Sequence, residues 1–491
     1  MPEGSRNSVH KNGKVEGTKR AQSAGDPSLN TRKMSRVAII DTHCHLDMFG
    51  EDRDAVIERA RDAGIESIIT VSSDRESNSR NIAIAEQYDS VYTSVGVHPH
   101  DAKDCTEEAF SQIRRWAGSG RREKIIAVGE TGLDYYYNHS PKDVQRDIFK
   151  RHLALARETG LPAIVHSREA EEETLEILKE SEISKGVLHC FSGDSDMAER
   201  AMSMGFSISI AGPVTFKKAK RLQEVARLIP DDYLLVETDA PYLTPEPLRG
   251  KSNEPAFLVH TVEKIAELRG VSPEDIARIT TLNAKRLFRI GELPVTGEIA
   301  YKIRNSLYLN ITNRCTNRCS FCVKFHSDYV KGHNLRLSDE PTEEELRRAI
   351  GYPSGYREIV FCGYGEPLIR LDTVKALARW IKENGGYVRI NTNGHGNLIH
   401  KRNIIPELAG SVDALSVSLD AQDEATYNRI CEPAFKNAFQ EVLSFLREAR
   451  KYIPVVQATV VEINGVDIEQ CRKISDELEV PLRVRTLDAV G

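Results

Sequence analysis

The chain lacks any long apolar run. Within its 491 residues no stretch approaches the roughly 18 consecutive uncharged apolar residues that a membrane-spanning helix needs, and no apolar segment of the signal-peptide kind opens the sequence. These absences exclude the patterns that are typical of integral membrane proteins and of exported proteins. We therefore predict a cytoplasmic protein that has no membrane partner.

A paired cysteine framework is also missing. The chain has 9 cysteines, an odd number, which are scattered over the first half and clustered once in the second. Small secreted domains instead carry even numbers of cysteines at regular spacings. This distribution predicts reduced thiols and a metal centre.

Composition and length indicate an ordinary globular protein with more than one core. Hydrophobic residues make up 40% and charged residues 29% of the chain, which is the usual range for soluble domains. The length exceeds the roughly 250–300 residues at which a single core stops growing. Two domains are therefore expected.

Charge is distributed unevenly along the chain. Residues 1–36 hold 8 Lys and Arg against 3 Asp and Glu, residues 37–290 hold 33 against 43, and residues 291–491 hold 26 against 27. The middle region is therefore acidic, with a net charge of −10. Such a domain is poorly suited to holding a long duplex on a broad basic surface.

The domain boundaries follow from breaks in the pattern. Residues 1–35 show no hydrophobic periodicity and are predicted to form a disordered basic tail. Proline and glycine interrupt the pattern near residue 297. We therefore predict one domain over residues 36–290, a linker over 291–302 and a second domain over 303–491.

The first domain alternates short β-branched runs with helical segments. Eight such units over about 250 residues match the rhythm of a closed parallel (β/α)8 barrel, a TIM barrel, whose active site lies at the carboxyl ends of the strands. The predicted strands cover residues 37–42, 67–71, 91–97, 125–129, 162–166, 186–189, 206–210 and 233–237.

Six of these strands end in an imidazole or a carboxylate. His43 and His45 lie two residues apart at the end of the first strand, so both side chains point to the same side. Nitrogen and oxygen donors in this number suffice for two divalent metals that share a carboxylate. The remaining donors are His98, Glu130, His166, His189 and Asp239.

The strand ends also form an ordered set of motifs. They read Asp-Thr-His-Cys-His-Leu-Asp (41–47), Gly-Val-His-Pro-His (96–100), Gly-Glu-Thr-Gly-Leu-Asp-Tyr (129–135), His-Ser-Arg (166–168), His-Cys-Phe-Ser-Gly (189–193) and Glu-Thr-Asp-Ala-Pro-Tyr-Leu (237–243). In this order, over residues 36–290, they resemble the signature of TatD-like metal-dependent deoxyribonucleases.

This resemblance implies a two-metal phosphodiester hydrolase. The implied ligands of one metal are His43, His45, Glu130 and Asp239. Glu130 would bridge to a second metal held by His166 and His189, and His98 and Arg168 would face a phosphate. Asp239 and Glu130 are the implied catalytic residues. Histidine and carboxylate ligands suit Mg²⁺, Mn²⁺ or Zn²⁺.

Several functions remain open for the first domain. Its acidic charge favours exonuclease-like attack on a strand end or on a small phosphodiester, with nucleic acid or a nucleotide as the substrate. The same barrel and metals also hydrolyse carbonyl compounds, so an amidase or an aminoacyl-RNA esterase is the alternative. A further alternative is that one of the two domains has become only a binding platform.

The strongest single motif lies in the second half. Cys315, Cys319 and Cys322 follow a predicted strand over residues 306–311 with the spacing C-x3-C-x2-C. Three thiolates this close can each bind one iron of a [4Fe–4S] cluster and leave the fourth iron open, because no further cysteine follows nearby. A structural zinc site completed by a downstream histidine is the alternative. The other six cysteines are interpreted as ordinary packing residues.

Further strands predict a partial, open (β/α)6 barrel, so the fold class of the whole chain is α/β. Gly363, Gly365 and Glu366 follow the second of these strands. Together with the cysteine motif they resemble radical S-adenosylmethionine (SAM) enzymes, over residues 303–491. The later strands are predicted at residues 357–362, 387–391, 414–418, 455–460 and 482–486.

This second resemblance implies a [4Fe–4S] cluster on the three cysteines and SAM as a cofactor. Gly363, Gly365 and Glu366 would line the methionine end of SAM. The residues expected to reach its ribose or the substrate are Asn391, Asn393, Ser418 and Asp420. The cofactor would yield a 5′-deoxyadenosyl radical after reduction by a donor such as flavodoxin or ferredoxin. The whole chain is thus interpreted as a bifunctional enzyme.

Overall fold

The first domain is a barrel of eight parallel strands that pair in sequence order. A computed structural model describes residues 38–119 and 124–486, and the predicted tail over 1–35 lies outside them. The strands are β1 (Ile39–Cys44), β2 (Ile65–Thr70), β3 (Val91–Val95), β4 (Ile125–Asp134), β5 (Ala163–Arg168), β6 (Gly186–Leu188), β7 (Phe206–Ile210) and β8 (Leu234–Val236).

Hydrogen bonds join the first strand to the segment after the last one. His45 N donates to Ala240 O at 2.8 Å, and Asp239 N donates to His43 O at 2.8 Å. The predicted (β/α)8 barrel is confirmed. A helix follows each strand: α1 (Arg53–Asp62), α2 (Arg75–Gln87), α3 (Glu107–Ser119), α4 (Lys142–Thr159), α5 (Glu171–Ser181), α6 (Ser195–Ser203), α7 (Lys220–Leu228) and α8 (Leu258–Arg269).

A ninth helix, α9 (Pro273–Phe288), covers the amino-terminal end of the barrel. Ser272 caps it, since its hydroxyl accepts from Asp275 N at 3.1 Å. Phe288 packs among buried residues of the barrel interior such as Ile40. The neighbour of Ile40, Ile39, belongs instead to the core shared with the outer helices, as strand alternation requires.

The second domain is built on a seven-stranded sheet with the order β17-β16-β15-β14-β13-β10-β9. All neighbours pair in parallel except β9 and β10, which are antiparallel. β9 begins at Ala300, inside the segment expected to be linker. The strands are β9 (Ala300–Ile303), β10 (Ser306–Leu309), β13 (Glu358–Phe361), β14 (Val388–Thr392), β15 (Ala414–Ser418), β16 (Val455–Glu462) and β17 (Leu482–Thr486).

Helices separate the parallel strands and cover one face of this sheet. That face carries the apolar core, which includes Leu309, Phe361 and Val417. The two outer strands, β17 and β9, are not paired with each other within the described residues, so the domain is open. The helices are α10 (Glu343–Ile350), α11 (Leu371–Glu383), α12 (Gly396–His400), α13 (Ile405–Leu408), α14 (Glu424–Cys431), α15 (Ala438–Ala449) and α16 (Ile468–Glu477).

A small hairpin of the second domain contacts the first barrel. It consists of β11 (Tyr329–Val330) and β12 (His333–Asn334). Lys331 Nζ lies 2.6 Å from Asp231 Oδ2, and Arg286 of α9 lies 4.7 Å from the Tyr329 ring centre. Because Asp231 precedes β8, the hairpin meets the barrel at the amino ends of its strands. Among the described helices none is both long and apolar enough to cross a membrane.

Candidate metal centre and candidate cluster site

Seven predicted donor side chains converge at the carboxyl ends of the first barrel's strands. They form three groups in which the potential ligand atoms lie within 4.8 Å of one another. Glu130 belongs to two groups, and His43 also belongs to two. The groups are His43, Glu130 and His189; His43, His45 and Asp239; and His98, Glu130 and His166.

The Glu130 carboxylate lies at the centre of this arrangement. Its Oε1 is 2.7 Å from His189 Nε2, 3.0 Å from His166 Nδ1 and 3.3 Å from His98 Nε2. Its Oε2 is 3.4 Å from His43 Nε2. A carboxylate with imidazoles on both oxygens has the geometry of a bridging ligand between two ions.

The local chain path explains how Glu130 reaches this position. β4 extends through Glu130 to Asp134, beyond the predicted end at residue 129. A Cβ atom on Gly129 would lie only 2.5 Å from Ile164 O. Glycine is therefore required where β4 passes close to β5, and the next side chain is directed into the barrel mouth.

Asp239 faces the two histidines of β1. Its Oδ1 lies 3.5 Å from His45 Nε2 and 3.7 Å from His43 Nε2. His45 Nδ1 lies 3.0 Å from Val71 O, which leaves Nε2 directed at the carboxylate. This arrangement leaves one imidazole nitrogen free for an ion and fixes the ring through the other.

Unpartnered buried atoms show that the residues fit divalent cations. Neither ring nitrogen of His43 forms a hydrogen bond within the described part of the chain, although oxygens of Glu130 and Asp239 lie 3.4 and 3.7 Å from its Nε2. Buried polar groups normally have partners. Histidine nitrogens and carboxylate oxygens in this spacing are suitable ligands for Mg²⁺, Mn²⁺ or Zn²⁺, and such an ion would be their missing partner.

Neighbouring charges and burial shift the pKa values of the donor side chains. Burial is the largest single influence and would raise the pKa of Glu130, but His189, His98 and His166 together outweigh it and hold that pKa well below its usual value. Burial opposes protonation of His45, yet its bond to Asp239 raises the pKa to about 8. For His98, burial is the largest influence on the pKa and lowers it to about 4.

Two carboxylates behind the donors have no assigned role in the sequence-based prediction. Asp134 Oδ2 lies 2.9 Å from His100 Nε2 and 3.2 Å from His166 Nε2. Glu237 Oε1 lies 3.4 Å from His189 Nδ1. Carboxylates in such positions orient metal-binding histidines. Asp134 and Glu237 both stand in the strand-end motifs, which could have drawn attention to them. The motifs do not show which histidine each carboxylate contacts.

A cavity of about 850 Å³ opens above the donors. Arg168 lines it and lies 4.8 Å from the ring centre of Tyr137, a half-exposed aromatic residue at the rim. Lys218 and Arg221 line it as well, although nothing in the sequence pattern pointed to them. The mouth therefore combines cations with an aromatic surface, the chemistry that binds phosphates and bases.

The three cysteines of the second domain lie on the loop that follows β10. All three are free thiols. Cys319 and Cys322 both lie close enough to Cys315 to raise the pKa of its thiol, although burial raises it more. Cys322 N donates to Cys319 O at 3.0 Å. Three adjacent thiols without disulfide partners fit an iron–sulfur cluster.

The glycine–glutamate segment packs against this loop. Glu366 N donates to Arg314 O at 2.8 Å, and a Cβ on Gly365 would lie 2.1 Å from the same oxygen. A Cβ on Gly363 would lie 2.4 Å from Asn310 Oδ1. Glycine at positions 363 and 365 therefore allows this segment to pack closely against the loop.

The Glu366 carboxylate is buried and already held by the chain. It accepts hydrogen bonds from Leu368 N at 2.9 Å, Thr392 Oγ1 at 2.9 Å and Asn393 N at 2.7 Å. Burial nevertheless raises its pKa to about 7. A buried carboxylate in this position attracts an ammonium group.

The four residues expected near the ribose are divided between different contacts. Asn393 Nδ2 donates to Thr316 Oγ1 at 2.8 Å, so it supports the cysteine loop. Asn391 Oδ1 accepts from Arg389 at 3.0 Å. Asp420 is buried, bonds with Ser418 and has a pKa raised to about 7 by burial. Asp420 also contributes to the electrostatic environment of Cys322.

Together, fold and donors define a metal-dependent hydrolase barrel joined to a second α/β domain that carries a three-thiol loop. Comparison with protein families agrees with this class. Residues 40–289 match the model described as TatD related DNase, and residues 309–478 match the radical SAM superfamily. The chain belongs to the TatD-related DNase family and carries a radical SAM domain after it. Both are families of enzymes.

Individual relatives cover the first barrel. It is 47% identical over 257 residues to the uncharacterized metal-dependent hydrolase YabD of Bacillus subtilis, with 52% of this chain and 100% of that protein covered. The 3′-5′ ssDNA/RNA exonuclease TatD of Erwinia tasmaniensis is 38% identical over 250 residues, covering 49% and 95%. The crystal structure of YJJV, a TatD homolog from Escherichia coli K12, aligns with a TM-score of 0.50 and 32% identity, covering 52% and 98%.

Proposed function

We propose that the first barrel is a two-metal phosphodiesterase that removes nucleotides from the end of a nucleic acid strand. The observation that carries this proposal is the position of Glu130, which is shared by two donor groups. The exonuclease name of the Erwinia tasmaniensis relative supports the substrate class.

Under this proposal the donors divide into two sets. His43, His45 and Asp239 would hold one ion, and Glu130 would be shared with the second. His166 and His189 contact the opposite oxygen of Glu130 from His43, so they hold the second ion. His98 lies 3.3 Å from that same oxygen. It is therefore close enough to add to the second set as well as to face a phosphate.

The chain's own residues position the substrate and move the proton. Bound divalent ions supply charge neutralisation at the phosphoryl oxygens and lower the pKa of water. Burial alone would raise the pKa of Asp239, but its bond to His45 and the nearby His43 and His189 together outweigh burial and lower that pKa. Asp239 is therefore a carboxylate that accepts the proton of the attacking water. Arg168 lines the cavity and offers a guanidinium to the phosphate.

A digestion experiment tests this proposal. One oligonucleotide is offered as a linear single strand labelled at either end, as a duplex and as a closed circle. We expect stepwise shortening of the linear strand, no cutting of the circle, and loss of activity with EDTA or with Asp239→Asn. The surface variant Asp62→Asn is the matched control. Internal cuts in the circle, or hydrolysis of an aminoacyl ester without any phosphodiester cleavage, would refute the proposal.

We also propose that Cys315, Cys319 and Cys322 hold a [4Fe–4S] cluster and that SAM binds beside it. With a cluster and SAM bound, the domain would supply radical chemistry, and a donor such as flavodoxin or ferredoxin would provide the electron. The buried carboxylate of Glu366 binds the amino group of SAM. The segment that contains Gly363 and Gly365 places this carboxylate next to the cysteine loop.

Anaerobic reconstitution tests the second proposal. We expect a brown protein that contains iron and sulfide and that releases 5′-deoxyadenosine from SAM under reducing conditions. Cys322→Ala should lose the colour and the iron. Glu366→Gln should keep the cluster but bind SAM more weakly. Tight zinc binding without sulfide would show instead that the cysteines form a structural zinc site.

A further inference from the structure

The hairpin β11–β12 fits closely against α9 of the first barrel. At its turn, Gly332 has a φ of +80°, and a Cβ atom there would lie 2.7 Å from Arg278 Cγ. Arg278 Nη1 donates to Lys331 O at 3.4 Å. Glycine suits both the left-handed backbone and the close approach, so the turn of the hairpin has a defined place on the barrel.

Arg286 of α9 holds the segment between the cysteine loop and the hairpin. Its Nη2 donates to Ser327 Oγ at 3.2 Å, and its guanidinium lies over the Tyr329 ring. Tyr329 N also donates to Ser327 Oγ, at 3.0 Å. Ser327 follows Cys322, the last residue of the cysteine motif, by five residues. The first barrel is therefore tied to the chain just beyond the cysteine loop.

Ser327 also anchors Tyr364, which belongs to the glycine–glutamate segment. The Tyr364 hydroxyl donates to Ser327 O. The residue is only 3% exposed, so its ring is part of the interior of the domain. It packs in a small core that is shared with the hairpin and is made of Tyr301, Val330 and Leu335.

Tyr364 fixes one side of the segment that is proposed to bind SAM. Its backbone N donates to Asn310 Oδ1 at 3.2 Å, and Asn310 Nδ2 donates to Leu335 O at 2.8 Å, so a second path leads to the hairpin. Glu366 follows Tyr364 by two residues. A shift of the Tyr364 side chain is therefore passed along the backbone to the Glu366 carboxylate.

We propose that the first barrel positions the SAM-binding segment of the second domain through Arg286, Ser327 and Tyr364. This inference rests on the proposed function of that segment. A binding segment that occupies its competent position only part of the time binds its ligand with proportionally lower apparent affinity. The affinity of the second domain for SAM thus depends on Arg286, a positioning residue that belongs to the other domain.

The test compares four variants of the full chain after anaerobic reconstitution. Tyr364→Phe keeps the ring and removes the hydroxyl, Arg286→Ala removes the guanidinium, and a third variant combines both changes. The matched control is Lys331→Ala, which removes the ion pair with Asp231 from the same contact between the domains. The dissociation constant of SAM is measured by equilibrium dialysis, and iron and sulfide content are measured on the same samples.

We expect iron and sulfide content to be unchanged in every variant. Tyr364→Phe and Arg286→Ala should each weaken SAM binding about threefold to tenfold, the usual effect of one lost hydrogen bond. Because both changes act through Ser327, the double variant should bind SAM no more weakly than the weaker of the two single variants. Lys331→Ala should keep the original affinity for SAM, and oligonucleotide cleavage should be the same in all variants.

Several outcomes overturn the inference. Additive losses in the double variant, or an equal loss in Lys331→Ala, would show that Arg286 and Tyr364 do not act through Ser327. Unchanged affinity in Tyr364→Phe would contradict the proposal even if Arg286→Ala does not fold. If the original protein loads a cluster but binds no SAM, the proposed function of the segment fails, and the role of Arg286 fails with it.

Discussion

Replacing Asp134 by asparagine should weaken the binding of one proposed ion and not of the other. Asp134 Oδ2 lies 3.2 Å from His166 Nε2, while His166 Nδ1 lies 3.0 Å from Glu130. Burial tends to raise the pKa of Asp134, but its hydrogen bonds with His166, Tyr137 N and His100 together outweigh burial and lower that pKa, so the group stays charged. Asparagine has nearly the same size, removes the charge and replaces one acceptor oxygen by an amide donor.

The expected magnitude follows from this indirect role. Loss of a carboxylate that orients a metal-binding histidine typically weakens metal affinity by about 10–100-fold, or about 1.4–2.8 kcal/mol. Because His43, His45 and Asp239 do not contact Asp134, only one of the two binding steps should weaken. The other should keep its affinity.

Calorimetric titration of metal-free protein with Mn²⁺ measures both steps. Asp62→Asn is the matched control, because Asp62 lies on the exposed end of α1. Circular dichroism confirms that the variant is folded. Equal weakening of both steps, or of neither, would refute the assignment of His166 to one ion and of the β1 histidines to the other.

Three further predictions concern other parts of the chain. Cys322→Ala should remove iron from the second domain and leave oligonucleotide cleavage unchanged, as measured by iron analysis and digestion of one sample. Because the pKa of His45 is raised to about 8, the ion held by His43, His45 and Asp239 must displace its proton, so the affinity of that binding step should rise about tenfold per pH unit below pH 8 and level off above it; a flat profile in Mn²⁺ titrations at several pH values would contradict this. Tyr137→Ala should weaken kcat/KM for single strands by about 1–3 kcal/mol, the usual contribution of one stacked base, with unchanged metal content, whereas Tyr452→Ala, a similarly exposed tyrosine of the second domain, should have no effect.

Much of the architecture could be predicted because the pattern is local. The strands of the first barrel are short β-branched runs, and six of the predicted runs end in an imidazole or a carboxylate, as His43 illustrates. The rule that parallel strands share one carboxyl edge then brings these residues together. The hairpin β11–β12 was not predicted, since its strands are two residues long and one is the polar pair His333–Asn334.

The features that the sequence did not predict depend on contacts between distant segments of the chain. The sequence contains Asp134 and His166 in separate motifs, but only packing brings them within 3.2 Å. Cys431 was interpreted as an ordinary packing residue because no other cysteine lies near it in the sequence. In the structure its carbonyl oxygen accepts a hydrogen bond from Arg318 N at 2.9 Å, beside Cys319 in the cysteine loop. Periodicity carries no information about such pairings, which depend on how helices settle on a sheet.

The hairpin contact at the amino ends of the first barrel's strands has a consequence for how the two activities are coupled. The mouth that holds Glu130 lies at the other end of the strands from this contact, so under the proposed function a nucleic acid strand would reach Glu130 from the side away from the hairpin. The fusion also fixes stoichiometry, because every copy of the first barrel is made together with one copy of the second domain.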